Sequence, residues 1–117
     1  MAASPPPAQE LNLETVRTPE EIIVRCSGRI TSATSAQFQT KVRSLLPETK
    51  SLVLDLTEVN HMDSSGLGAI VGLYVSARRQ RVALKLINLT QRLQDLFRIT
   101  KLATVFEGRN EYLGYMD

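Results

Sequence analysis

With one cysteine, one histidine and no tryptophan in 117 residues, several classes of chemistry are excluded before any pattern is sought. Cys26 alone cannot build an internal disulfide framework, so a reducing compartment is permitted, and its place in the apolar run Ile22 to Cys26 marks it as a buried small hydrophobe. His61 and Cys26 are single, unclustered ligands, and Asp63 with Glu58 has no partner at metal-binding spacing, so no metal site is expected. Charge of one sign is not concentrated: 14 Lys and Arg are scattered among 12 Asp and Glu, for a net charge of +2. Aromatics make up 5% of the chain and no basic run is interleaved with them, which argues against a nucleic-acid surface. The densest basic stretch, Arg78-Arg79-Gln80-Arg81, has the form of a solvated helix end complementing the dipole. No apolar run approaches the ~18 to 20 residues of a membrane span, and the N-terminus lacks the regions of a signal peptide. The expectation is a cytoplasmic protein that does not enter a membrane.

The apolar fraction of 43% suffices for a single core. Residues 1–9, with Pro5-Pro6-Pro7, are expected to form a disordered tail, and 10–117 one domain. Leu11, Leu13 and Thr15 alternate, Thr18-Pro19-Glu20 interrupts, and Ile22 to Cys26 follows, which predicts two strands joined by a turn, with Gly28 ending the second. Phe38, Val42, Leu45 and Leu46 recur at helical spacing, with Ser32 or Thr34 as a cap and Pro47 as the stop. Leu52 to Leu56 has the nearly continuous apolar character of a central strand. A second helix carries Leu67, Ile70, Val71 and Tyr74 on one stripe, and Ala83 to Ile87 is another strand. Leu93, Leu96 and Phe97 mark a third helix opened by Asn88 or Thr90, followed by an edge strand at Val105-Phe106 and a helical turn over 109–115. Strand and helix alternate, so the expected fold is α/β: a mixed sheet of four to five strands with three to four helices mainly on one face.

The segment Met62-Asp63-Ser64-Ser65-Gly66-Leu67-Gly68 carries the most information. Placed after a strand and a short polar turn, it opens a helix whose first turns hold Gly66, Gly68 and Gly72, each costing about 1 kcal/mol relative to alanine in a helix interior. Propensity did not choose them. Asp63 or Ser64 can cap the helix, and small residues let a strand or a second protein approach closely. A serine here also lies beside the free N–H groups of a helix N-terminus, where a phosphate would be held and a kinase could reach it.

Enzyme readings fail on missing parts. Ser64-Ser65-Gly66 is half of a Gly-x-Ser-x-Gly nucleophile elbow, but Met62 replaces the first glycine and His61 is badly placed as a base. Gly66, Gly68 and Gly72 miss the Gly-x-Gly-x-x-Gly spacing by one residue, and no Gly-Lys-Ser/Thr exists for a phosphate loop, so no nucleotide cofactor is expected.

Taken together, Leu52 to Leu56, the turn through Val59, Met62 to Gly68, Arg92-Leu93 through Phe97 and Leu102 to Phe106 resemble the STAS domain, and within it the stand-alone anti-sigma factor antagonists of bacteria. The resemblance covers about Leu11 to Phe106. It implies a switch protein without catalytic activity, a monomer or weak dimer, that binds an anti-sigma factor and so releases a sigma factor. It further implies that the anti-sigma factor is an ATP-dependent serine kinase, that Ser64 is the phosphorylated residue, and that a phosphatase reverses the step. Thr31, Asp63, Ser65 and Gly66 are the implied partner-binding positions. Thr31 stands where family members often carry an acidic residue after the Gly-x-Ile turn. The alternative implied by the same resemblance is a scaffold or accessory subunit of a signalling or transport complex.

Overall fold

The structure, a computed structural model, describes residues 10–100. The expected tail over 1–9, the edge strand at Val105-Phe106 and the helical turn over 109–115 lie outside the described residues.

Four strands form one sheet in the order β1 (Leu11–Arg17), β2 (Ile22–Ile30), β3 (Ser51–Met62) and β4 (Ala83–Ile87). Strands β1 and β2 are antiparallel, while β2 with β3 and β3 with β4 are parallel. The hairpin closes where Thr18-Pro19-Glu20 interrupts the apolar pattern, with the Thr18 hydroxyl accepting from the backbone N–H groups of Glu20 and Glu21. Two helices make the parallel crossovers, α1 (Ser35–Leu45) and α2 (Ser64–Arg79), and α3 (Gln91–Thr100) follows β4. Both crossovers step the same way across the sheet, so right-handed connections put α1 and α2 on one face. They touch there, Gln39 Nε2 donating to the Ala69 carbonyl at 3.4 Å.

The strand register explains the core. Ile22, Leu52 and Leu84 stand side by side, as do Val24, Leu54 and Leu86, and all six are buried. Phe38, Val42 and Leu45 of α1, Leu67, Ile70, Leu73 and Tyr74 of α2, and Leu93 and Phe97 of α3 join them in one cluster. The alternate residues Arg25 and Asp55 pair across β2 and β3 on the opposite face. There Asn12, Glu14, Arg25, Ser27, Asp55, Thr57 and Glu58 line an open depression of about 410 Å³. Cys26 is buried as expected, and burial, assisted by the charge of Asp55, pushes its thiol up to about 12, which makes it inert.

Several boundaries differ from the sequence expectation, each for a local reason. Gly28 does not end β2; it adopts φ 109 beside an irregularity, and the strand runs on to Ile30. Strand β3 likewise continues past Leu56 to Met62 where a polar turn was expected. Its pairing with β2 slips between Arg25 and Ser27 and again between Gly28 and Arg29, so β3 absorbs extra residues as bulges and its polar positions stay solvated. Pro47 lies inside the first turn of a short 3₁₀ helix, Leu46–Glu48, that follows α1. Thr34 precedes α1 without capping it, because its buried hydroxyl donates to the Arg29 carbonyl at 2.8 Å. At α3, Thr90 Oγ1 accepts from the Leu93 N–H, whereas Asn88 takes φ 60 and donates to Asp55.

Candidate functional site

The bulged end of β3 decides where the helix start goes. Its last residue, Met62, is paired with Ile30, and the Asp63 N–H donates to the Ile30 carbonyl at 3.3 Å, which sets the α2 N-terminus against the β2–α1 loop. Asp63 is the N-cap, with extended backbone and a side-chain oxygen, Oδ1, that accepts from Ser65 N at 2.8 Å and Gly66 N at 3.1 Å. Its other oxygen, Oδ2, accepts from the backbone N–H of Ser32 at 3.3 Å. One carboxylate therefore ties together two segments that are far apart in sequence.

Partial desolvation disfavours the charged form of Asp63, but the donors on Gly66, Ser32 and Ser65, with the nearby charge of His61, outweigh it and hold the carboxyl below its ordinary range. The site thus has a fixed negative charge next to Ser64. Ser64 itself, the first residue of α2, is exposed. The expectation of free N–H groups beside it needs correction: Asp63 already occupies those of Ser65 and Gly66, so a phosphate on Ser64 would not be cradled by them. Such a group would sit on an exposed residue next to the charged Asp63.

The other expected positions divide by exposure. Thr31 is half-buried, and its hydroxyl accepts from the Ala33 N–H at 3.2 Å while its carbonyl accepts from Thr34 and Ser35, so it organises the turn into α1. Ser65 is half-buried on the first turn of α2, next to Ser64. Gly66 is buried, and a Cβ there would overlap the Ile30 carbonyl and stand 2.7 Å from Met62 Cγ. Its place is inward, where it lets the helix lean on the end of β2. Ser32, expected only as a possible cap of α1, and Ile30 complete the site without having been assigned to it from sequence; the Ser32 contact to Asp63 across 31 positions leaves no local spacing to recognise.

Among the described residues, no group of three or more His, Cys, Asp or Glu side chains could hold a metal ion, and no helix is long and apolar enough to cross a membrane. What the arrangement offers is two exposed serines, Ser64 on the helix tip and Ser32 on the facing loop, on either side of a carboxylate held charged.

Residues 12–112 match the STAS domain family. The chain is 48% identical over 59 residues to the anti-sigma-B factor antagonist of Listeria monocytogenes, a match covering 50% of this chain and 52% of that protein. This alignment thus spans about half the length of the Listeria relative. With the anti-sigma-B factor antagonist of Bacillus subtilis the identity is 32% over 97 residues, covering 83% of this chain and 89% of that one. Among solved structures, an anti-sigma factor antagonist from Mycobacterium paratuberculosis superposes with a TM-score of 0.74 at 16% identity, over 83% of each chain. The Bacillus cell-fate determinant SpoIIAA in its phosphorylated form superposes at 0.64 and 19% identity, over 88% of this chain and 87% of that one. The structural matches reproduce the four-stranded mixed sheet and its helices, and with the family match and the identity to the Bacillus antagonist they place the chain in the STAS domain family, among the anti-sigma factor antagonists.

Proposed function

We propose that this chain binds, in the cytoplasm, an anti-sigma factor that is also a serine kinase, and that phosphorylation of Ser64 switches the binding off. The single observation that carries this reading is the exposure of Ser64 at the start of α2, next to an Asp63 whose hydrogen bonds hold it charged. In the transfer step Ser64 Oγ attacks the γ-phosphorus of ATP, ADP leaves, and the hydroxyl proton passes to a base on the kinase. A phosphatase restores the hydroxyl.

The product differs from the substrate by about −1.5 to −2 charges and three acceptor oxygens on a side chain that was small and uncharged. With two helix N–H groups already bound to Asp63, the phosphate gains little from the dipole and is repelled by the carboxylate. It projects into the space a partner would fill. Local bulk and repulsion are enough to break the complex, and refolding is not required.

Ser64→Asp is expected to abolish binding to the anti-sigma factor with an unchanged circular dichroism spectrum, and Ser64→Ala to keep binding while blocking phosphorylation. Mass-spectrometric mapping of phosphate to Ser65 or Thr31, with Ser64 unmodified, would refute the assignment.

A further inference from the structure

Helices α1 and α2 contain no Asp or Glu, yet Lys41, Arg43, Arg78 and Arg79 project from them and are exposed. The side-chain ion pairs among the described residues, Arg17 with Glu48 and Arg98 with Asp95, use no side chain of either helix. Helical geometry places Ser64, Gly68, Val71, Val75, Arg78 and Arg79 within one strip of α2 that is about 22 Å long at ~1.5 Å per residue. Arg43 borders this strip from α1, its Nη2 standing 3.9 Å from where a Cβ on Gly72 would sit. One turn before the arginines, Val75 is 44% exposed, the only large hydrophobic side chain so exposed among the described residues. Gly68 faces empty space, with nothing within 4 Å of a Cβ built there.

Helix-dipole complementarity accounts for a basic residue in a last turn, but not for an open glycine and an exposed valine on the same strip. We propose that the α1–α2 face docks an acidic patch of a protein partner, with Gly68 and Val75 at the closely approached centre and Arg43, Arg78 and Arg79 at a basic rim. This rests on the Ser64 reading, because Ser64 opens the strip and the partner is the kinase that reaches it. Positive potential without an acid on either helix selects a negative partner surface. The small-residue centre selects protein over lipid, since an interfacial helix inserts bulky apolar anchors and this strip offers only valines, Val75 exposed and Val71 half-buried. It selects protein over nucleic acid because, among the described residues, no exposed aromatic accompanies the arginines.

The two ends of the strip act independently: Arg79 lies about 22 Å along the helix from Ser64, beyond the ~8 Å screening length at physiological salt, so the arginines do not neutralise a phosphate on Ser64 and keep their attraction for the partner when it is added.

The test is calorimetric titration of the full chain with the purified anti-sigma factor of the same organism, at about 50 and about 500 mM NaCl. Arg78→Glu/Arg79→Glu is expected to weaken binding by about 30-fold at low salt and by under about fivefold at high salt. Arg78→Gln/Arg79→Gln, which removes the charge at the helix end without reversing it, shifts the same way by a smaller factor. Arg17→Glu/Arg98→Glu, with the same change in net charge on other surfaces, is expected to stay within about threefold of wild type. Wild-type affinity in the Arg78/Arg79 variants would overturn the docking surface and leave the Ser64 switch standing. No binding by the wild-type chain overturns both. Equal loss in the Arg17/Arg98 control, or tighter binding of wild type to phosphatidylserine vesicles or duplex DNA than to the anti-sigma factor, also overturns the proposal.

Discussion

The inward and outward sides of α2 use glycine for opposite purposes. Gly66 is wedged against the Ile30 carbonyl and Met62, so its missing side chain is demanded by how this chain packs on itself. Two residues later Gly68 meets nothing, and the free chain would be better served there by alanine. The same residue type within one helical turn thus answers to two constraints: one satisfied inside the fold, the other left for a surface that comes from outside. The arginines and the exposed valine lie on the outward side, and the core cluster on the inward one.

The sharpest way to break this contrast is Gly66→Ala, which is expected to destabilise the chain by about 2–3 kcal/mol, since the obstructing atoms include backbone that cannot move aside. Urea unfolding would read it, and a loss under ~0.5 kcal/mol would mean that the helix start adjusts freely. Asp63→Ala is expected to have a smaller effect than Gly66→Ala, lowering the unfolding midpoint while raising amide exchange at Ser32, Ser65 and Gly66 together, because one carboxylate holds all three. Exchange rising at Ser65 and Gly66 alone would show that the β2–α1 loop is held by other contacts. On the outward side, Gly68→Ala is expected to raise stability by about 0.5–1 kcal/mol while weakening the anti-sigma factor complex. Stabilisation with undiminished binding would remove the reason for a glycine there.

Acid should produce the mildest change. Desolvation works against charged Asp55, but hydrogen bonds from the Thr57 side chain, Asn88 and the Thr57 backbone, with the charge of Arg25, outweigh it and lower its carboxyl. Asp63 is lowered for the reasons already given, and Asp95 by hydrogen bonds from Gln91 and Arg98. A carboxyl lowered in the folded state binds fewer protons than in the unfolded chain, so its contribution is present above the unfolded value of ~3.9 and lost as pH falls through the folded one. Denaturant midpoints measured from pH 5 down to pH 2.5 should therefore decline below about pH 4, less steeply for Asp55→Asn. An unchanged slope in that variant would mean that the Thr57 and Asn88 bonds contribute nothing to stability.

Much of this was legible in the chain. The apolar run Leu52 to Leu56 announced a central strand, and β3 does lie between β2 and β4, but only its Leu52, Leu54 and Leu56 side joins the core while Asp55 on the other side lines the open depression; of the two expected caps, Asp63 and Ser64, Asp63 serves because its carboxylate accepts from the first free N–H groups. The length of β3 was not legible, since a bulge leaves the adjacent Thr57 and Glu58 both in water within a strand, against the simple alternation that marks one. Ser32 and Thr34 are both cap candidates by residue type, yet a carbonyl five residues back claims the Thr34 hydroxyl and α1 starts without a side-chain cap. The fate of the helix N–H groups depended on the direction in which Asp63 turned.

Composition, periodicity and the residues from Met62 to Gly68 determined by themselves an α/β fold with a serine at a capped helix start, because these follow from local geometry and from which side chains avoid water. Only the tertiary structure decided that Asp63 also holds Ser32, that Gly66 is buried while Gly68 stands open, and that two acid-free helices lie side by side. Those facts depend on contacts between distant positions, and the chain settles them only when the sheet brings those positions together.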